Sequence, residues 1–237
     1  MYEKFSVASH DGLEFDSYLF SPSKRPATGV VMIPEIFGIN APLREIARRF
    51  ADAGYAVLVP DIFWRLERNV ELGYNEDSYK KAFALHKAFD YESGVQDMDA
   101  AVASLREHTG YDGNVAAIGF CLGGTMAYLA GARCHIQFPV SYCGTRIQNF
   151  LDDASKVRCT TILNFGEIDH TTPPAFMDRT LPAVEPNSNI EFHIYSGAGH
   201  AFANPGRSGT YVHEASELAH ARTFELFGKF MPYGNQE

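Results

Sequence analysis

The amino-acid sequence predicts an α/β fold, with a mostly parallel sheet flanked by helices on both faces. Three observations carry the expectation. Short apolar runs alternate with stretches of helical periodicity along the whole chain. Several of the runs are apolar throughout instead of alternating with polar residues, as strands covered on both faces must be. The chain's 237 residues, 46% of them hydrophobic, suffice for a single domain that buries roughly 70–75% of its unfolded surface.

In chain order, residues 13–20 read as an early strand, 30–33 as a buried strand and 56–59 as the next. Between them, residues 41–53 form a helix whose inner stripe is Leu43, Ile46, Ala47 and Phe50. Residues 61–79 are the least regular stretch, and Trp64, Tyr74 and Tyr79 are placed to roof a pocket or to lie in an ordinary surface connection. Ser93 and Gln96 have capping-box spacing and introduce a helix with Val95, Met98, Val102 and Leu105 on one face. That helix leads into a strand over 114–118, a sharp turn and a further helix over 125–130. Strands follow at 138–142, 161–165 and 190–195, and residues 213–230 close as a helix with Leu218, Phe224 and Phe227 inward. Sites in such sheets form beyond the carboxyl ends of the strands.

Composition narrows the function. Twenty basic against 29 acidic residues give a formal charge of −9 with no Lys/Arg run, which argues against nucleic acid and anionic membranes as partners. Residues 1–30 lack the apolar core of a signal peptide and no apolar run spans a bilayer, so a cytoplasmic location is expected. The four cysteines form no Cys-x-x-Cys pair, which fits a reducing compartment. The nine histidines show no metal-ligand spacing; neither a metal nor an organic cofactor is expected.

Chemistry enters at Gly119-Phe120-Cys121-Leu122-Gly123-Gly124, where a cysteine fills the nucleophile position of a Gly-x-Nuc-x-Gly elbow. The elbow forces its central residue into a strained backbone, and side chains two positions away on either side would collide with strand and helix. At the first turn of a helix, the peptide dipoles favour negative charge on the sulfur. A buried, inert cysteine beside a Gly-rich turn is the competing reading.

A thiol nucleophile needs a base and a group to orient it, following it in the order acid, then histidine. Asp169, on the loop after the 161–165 strand, and His200, after Ser196-Gly197-Ala198-Gly199, satisfy that order, each just past a strand's carboxyl end. Glu167 is an alternative acid and His170 a rival base. Glu35 follows the strand that breaks at Pro34; a carboxylate there, accepting a hydrogen bond from the thiol, holds the sulfur quiet until substrate arrives.

Pro34-Glu35-Ile36-Phe37-Gly38, the Cys121 elbow, the Asp169 loop and Gly199-His200-Ala201-Phe202 resemble the dienelactone hydrolase family, in the same order and over nearly the whole chain. Residues 88–90 and 94–97 share the likeness. The resemblance implies an α/β-hydrolase fold, a Cys121–His200–Asp169 triad, Glu35 in contact with the thiol, and the backbone N–H groups of Ile36 and Leu122 as oxyanion donors. It also places Phe37, Tyr79, Phe202 and Asn204 beside the substrate. Members that open the chlorocatechol-pathway lactone grip its carboxylate with two arginines, where this chain has Tyr79 and Asn204; with neither charged, an anionic dienelactone is held less well. Arg207, Arg65 and Arg68 are the candidates to replace them.

The expected function is cofactor-free hydrolysis of a small-molecule ester or lactone by a monomer or small homo-oligomer. The competing readings are an α/β-hydrolase turned receptor or regulatory protein, a thiol esterase of broad range unrelated to dienelactone, and a thiol-based redox or transferase protein.

Overall fold

The fully apolar runs take the middle of the sheet. In the computed structural model, which describes residues 2–23, 28–109 and 114–230, β3 (Thr28–Ile33), β4 (Tyr55–Pro60), β5 (Val115–Phe120) and β7 (Thr161–Gly166) are buried along their whole length. They are joined by β1 (Glu3–Ala8), β2 (Glu14–Phe20), β6 (Gln137–Tyr142) and β8 (Ile190–Tyr195). Among the described residues these eight strands form one sheet, ordered β1-β2-β4-β3-β5-β6-β7-β8. From β4 to β8 all neighbours are parallel, and β1 and β2 add an antiparallel edge.

Helices cover both faces, as parallel strands require. α1 (Ala41–Asp52) and α6 (His213–Phe230) pack on one face, where Leu43, Ile46, Phe50 and Phe227 meet Val30, Val57 and Ile118. On the other lie α2 (Glu76–Ala88), α3 (Tyr91–Thr109), α4 (Leu122–Arg133) and α5 (Pro174–Val184), with Met98, Leu105, Met126 and Phe176 against Val31, Ala117 and Leu163. The predicted inner stripe of α1 is buried throughout. Asn40 caps that helix by accepting the Leu43 N–H at 3.3 Å.

Three local expectations are corrected. Ser93 does not start α3: the helix begins at Tyr91, and Asp90 before it accepts the N–H groups of Glu92 and Ser93 and the Ser93 hydroxyl. A carboxylate spanning several first-turn donors outcompetes a hydroxyl three residues further on. Leu218 does not face inward, being 49% exposed; the buried side of α6 runs through Ala215, Ala219, Thr223 and Phe227. Trp64 is a core residue and not a surface one: its ring stacks on Phe15 and its indole N–H donates to the buried Asp97 at 2.9 Å. The strand β1 and the helices α2 and α5 have no counterpart among the sequence expectations; α2 buries only Ala82 and His86, too few positions to leave a periodic apolar signal.

Candidate active site

β5 delivers Cys121 to the carboxyl edge of the sheet with φ 55° and ψ −112°, a left-handed conformation costly for any residue but glycine. The surrounding glycines make it possible. A Cβ on Gly119 would lie 1.8 Å from the Gly123 carbonyl oxygen, and one on Gly123 would lie 2.3 Å from the carbonyl oxygen of Ile33. This second approach seats the end of β3 directly on the elbow, so the turn over residues 34–38 adjoins Cys121. Leu122 is the first residue of α4, so its N–H has no acceptor within the helix. The Cys121 N–H donates to the Tyr142 carbonyl at 2.9 Å, tying the elbow to the end of β6. Cys121 is 7% exposed.

His200 and Asp169 meet beside it. Nδ1 of His200 lies 2.9 Å from Asp169 Oδ2. The other carboxylate oxygen accepts from the Thr171 hydroxyl at 2.6 Å and the Thr171 N–H at 2.7 Å, and that hydroxyl is also 3.0 Å from Nδ1. With Nδ1 engaged by Asp169, the imidazole is also within the electrostatic reach of Cys121, and the Cys143 sulfur lies within 4.8 Å of its ring. Burial is the largest influence on His200 and acts to lower its pKa; the negative charge of Cys121, then the hydrogen bonds to Asp169, Cys121 and Cys143, outweigh it and raise His200 well above its ordinary value. For Asp169, burial pushes upward, but the His200 and Thr171 hydrogen bonds and the His200 charge prevail and hold the carboxyl below the usual range. Of the alternatives, Glu167 is exposed and accepts from Ser196 and from the Gly197 N–H, bracing the loop that carries His200. His170 is exposed, with its ring edge-on to His200 at 6.1 Å.

Glu35 is buried, and its hydrogen bonds go to the loops that carry Tyr74, Asn204 and Arg207. Its carboxylate accepts from Tyr74 Oη at 3.1 Å and Asn204 Nδ2 at 2.9 Å, with the Arg207 guanidinium at 3.5 Å. The sequence reading gave this carboxylate to the thiol; a phenol, an amide and a cation are stronger donors than S–H. Burial, then the charge of Glu35, raises the Tyr74 phenol, which stays a donor. Arg207 bonds Tyr79 Oη at 2.7 Å and lies 5.4–5.7 Å from the ring centroids of Phe37, Tyr74 and Tyr79. Tyr74, Tyr79, Arg207 and residues 206–210 line a shallow cavity of about 180 Å³. Arg65 and Arg68 are engaged elsewhere, with Asp97, Asp11 and the Glu14 carbonyl. Phe202, expected at the substrate, is instead fully buried against Tyr142 and Tyr195 in the core beneath α6. A larger cavity, about 330 Å³ and lined by Glu191, His193, Arg222 and Lys229 among others, contains none of these groups.

Two site residues escaped the sequence reading. Thr171 carries a legible signal, because an aspartate whose side chain accepts the N–H two residues on is a common turn. Cys143 follows β6 as Cys121 follows β5, and strand order alone puts the two side by side. Cys143, Asp169 and His200 offer ligand atoms within 4.8 Å of one another, a grouping that linear spacing could not reveal; two of its three members are bonded to each other.

The sheet order and the cysteine elbow define an α/β-hydrolase. The chain belongs to the dienelactone hydrolase family, whose sequence profile matches residues 15–231, and it is a hydrolase. It is 34% identical over 225 residues to the carboxymethylenebutenolidase of Pseudomonas putida, covering 94% of this chain and 95% of that one. The carboxymethylenebutenolidase of Pseudomonas sp. strain P51 is 32% identical over 233 residues, 98% and 97% of the two chains. The solved dienelactone hydrolase of Anabaena variabilis shares the fold with a TM-score of 0.70 at 20% identity, over 97% of this chain and 98% of that one.

Proposed function

We propose that Cys121, His200 and Asp169 form the triad of a dienelactone hydrolase-like enzyme that cleaves a small carboxylic ester or lactone. The observation that carries the reading is the His200–Asp169 pair, 2.9 Å apart, with the elbow cysteine acting on the same imidazole. Cys121 attacks the carbonyl carbon; the N–H groups of Ile36 and Leu122 hold the tetrahedral oxyanion, each donor being worth about 10²–10³ in rate. His200 takes the thiol proton and returns it to the departing alkoxide or enolate, while Asp169 fixes the tautomer and balances the imidazolium. Water, deprotonated by His200, then attacks the thioester carbonyl and frees the acid and the thiol.

Glu35 serves this reading as a positioning residue that ties the Ile36 turn to Tyr74, Asn204 and Arg207. Tyr79 and Asn204 are uncharged, and Arg207, the cation beside them, is paired with Glu35 and surrounded by aromatic rings, so an ester or lactone with an uncharged acyl side is the preferred substrate. The match over residues 15–231 favours one catalytic domain, and four free cysteines suit the cytoplasm.

The test is Cys121→Ala with a small activated aryl ester. Turnover should vanish while the thermal transition is retained, and undiminished turnover would eliminate the mechanism. A strong preference for cis-dienelactone over a neutral aryl ester would overturn the substrate assignment.

A further inference from the structure

The proposed hydrolysis uses one thiol, yet two lie against the same imidazole. β5 and β6 are parallel neighbours with Phe120 opposite Tyr142, and the ladder continues through the Cys121 N–H to the Tyr142 carbonyl at 2.9 Å. Cys121 and Cys143 are therefore the next pair in register. Adjacent strands lie about 4.8 Å apart, within the roughly 4.4–6.8 Å between Cα atoms that a disulfide spans. Both residues have positive φ, 55° and 51°. The Cys143 sulfur lies within 4.8 Å of a His200 ring nitrogen, and Cys121 acts on the same imidazole, so their side chains turn to one side. At Gly124 a Cβ would sit 2.8 Å from the Tyr142 carbonyl and 3.1 Å from Gly144 Cα, so nothing separates the two turns. All four cysteines are free in this structure.

From this juxtaposition we propose that Cys121 and Cys143 are a peroxide-responsive dithiol, in which hydrogen peroxide or an organic hydroperoxide oxidises Cys121 and Cys143 captures it as a reducible disulfide. The proposal rests on Cys121 being the reactive nucleophile of the function proposed above. The Cys121 thiolate attacks the peroxide O–O bond; one oxygen becomes the sulfenic acid and the other leaves as hydroxide, which takes a proton from His200 and departs as water. Cys143 then passes its proton to His200, its sulfur attacks the sulfenic sulfur, and the displaced hydroxide regains that proton as a second water. Two thiols and one hydrogen peroxide give one disulfide and two waters; with an organic hydroperoxide the first leaving oxygen departs as the alcohol and one water forms. A dithiol reductant reverses the change.

The environment assigns the roles. Burial is the main influence on Cys143 and raises its thiol pKa, against the lowering pull of His200, so Cys143 rests protonated and does not compete for peroxide. Cys121 lies at the helix amino terminus and is oxidised first. Without a partner, a sulfenate there would proceed to the irreversible sulfinic acid.

The experiment titrates the wild-type protein with hydrogen peroxide, alkylates the remaining thiols in denaturant and maps the peptides by mass spectrometry. The expected result is paired loss of two of the four thiols, a cross-linked peptide containing Cys121 and Cys143, loss of ester turnover in step, and full return of both on adding dithiothreitol. Cys121 recovered as sulfinic acid while Cys143 is still alkylated overturns the proposal. So does inactivation that dithiothreitol leaves in place. In Cys143→Ser, peroxide inactivation should be irreversible relative to that variant's own starting activity, and recovery like wild type also overturns it. The wild-type peptide map needs neither a variant nor turnover, so it is read separately from the Cys121→Ala test of the hydrolase reading.

Discussion

The Thr171 hydroxyl lies 2.6 Å from one carboxylate oxygen of Asp169 while the other faces His200 at 2.9 Å. Asp169 is thus held from behind by a side chain that touches no reacting atom, and Thr171 is a positioning residue. Removing the hydroxyl while keeping the shape, as Thr171→Val, frees the carboxylate to turn from the imidazole. A hydrogen bond to a charged group contributes about 1.5–3 kcal/mol, so kcat should fall about tenfold or more, with KM little changed. Thr171→Ser should restore most of the rate. Steady-state kinetics on an activated ester decides it; a rise in KM alone would refute the assignment.

The members of the proposed triad were legible because each follows a strand's carboxyl end, and the strands were legible as continuous apolar runs. Cys121, Asp169 and His200 are separated widely in sequence, but the fold class alone sends all three to one edge of the sheet. Where apolar pattern was thin, sequence reading failed: α2 is mostly solvent-facing, and Leu218 is apolar yet exposed. The partners of Glu35 depended on tertiary approach, since Tyr74, Asn204 and Arg207 come from two distant loops. Cys143 was hidden for a different reason, as its neighbour in space is set by strand order and not by any motif around it.

Glu35 and Arg207 offer a test of substrate charge. Glu35→Gln keeps a planar polar group for Tyr74 and Asn204 but leaves the guanidinium without its counter-charge. An unpaired buried cation is costly, and a substrate carboxylate can supply what was lost. The ratio of kcat/KM for a carboxylate-bearing ester over its neutral counterpart should therefore rise by about tenfold, the equivalent of about 1.4 kcal/mol. Because a ratio is read, any general effect of Glu35 on the thiol cancels. An unchanged ratio would mean that Arg207 does not face the substrate.

The elbow glycines make a prediction about folding. A methyl group on Gly123 would meet the Ile33 carbonyl at 2.3 Å, and the obstacle is backbone, which cannot swing aside. Gly123→Ala should cost about 3 kcal/mol or more, lowering Tm by roughly 6–12 °C for a chain of this size. Gly73→Ala and Gly209→Ala, whose added Cβ meets nothing within 4 Å, serve as controls and should leave Tm nearly unchanged. Differential scanning calorimetry separates the outcomes, and equal Tm values across the three variants would show that the elbow tolerates a side chain.

Acid stability should be governed by histidines outside the site. His220 packs between Phe50 and Tyr142, with Nδ1 2.8 Å from the Ser216 carbonyl, and burial lowers its pKa to about 4. In the unfolded chain a histidine titrates near about 6.5. Between those values the unfolded state binds a proton that the native state refuses, so the stability His220 confers is full above about pH 6.5 and drains away as the pH falls toward 4, by up to about 3 kcal/mol in all. His86, also lowered by burial to about 4, adds to the same limb. His200 works in the opposite sense: its raised native pKa gives stability that is complete below about pH 6.5 and is lost as the pH climbs through the native value, so it does not offset the acid loss. Replacing His220 by Phe removes one proton from the unfolded side of the balance. The slope of unfolding free energy against pH between 6.5 and 4 should become shallower by up to about 1.4 kcal/mol per pH unit, whatever the variant's stability at neutral pH. Urea midpoints across that range measure it, and an unaltered slope would place the acid-sensitive group elsewhere.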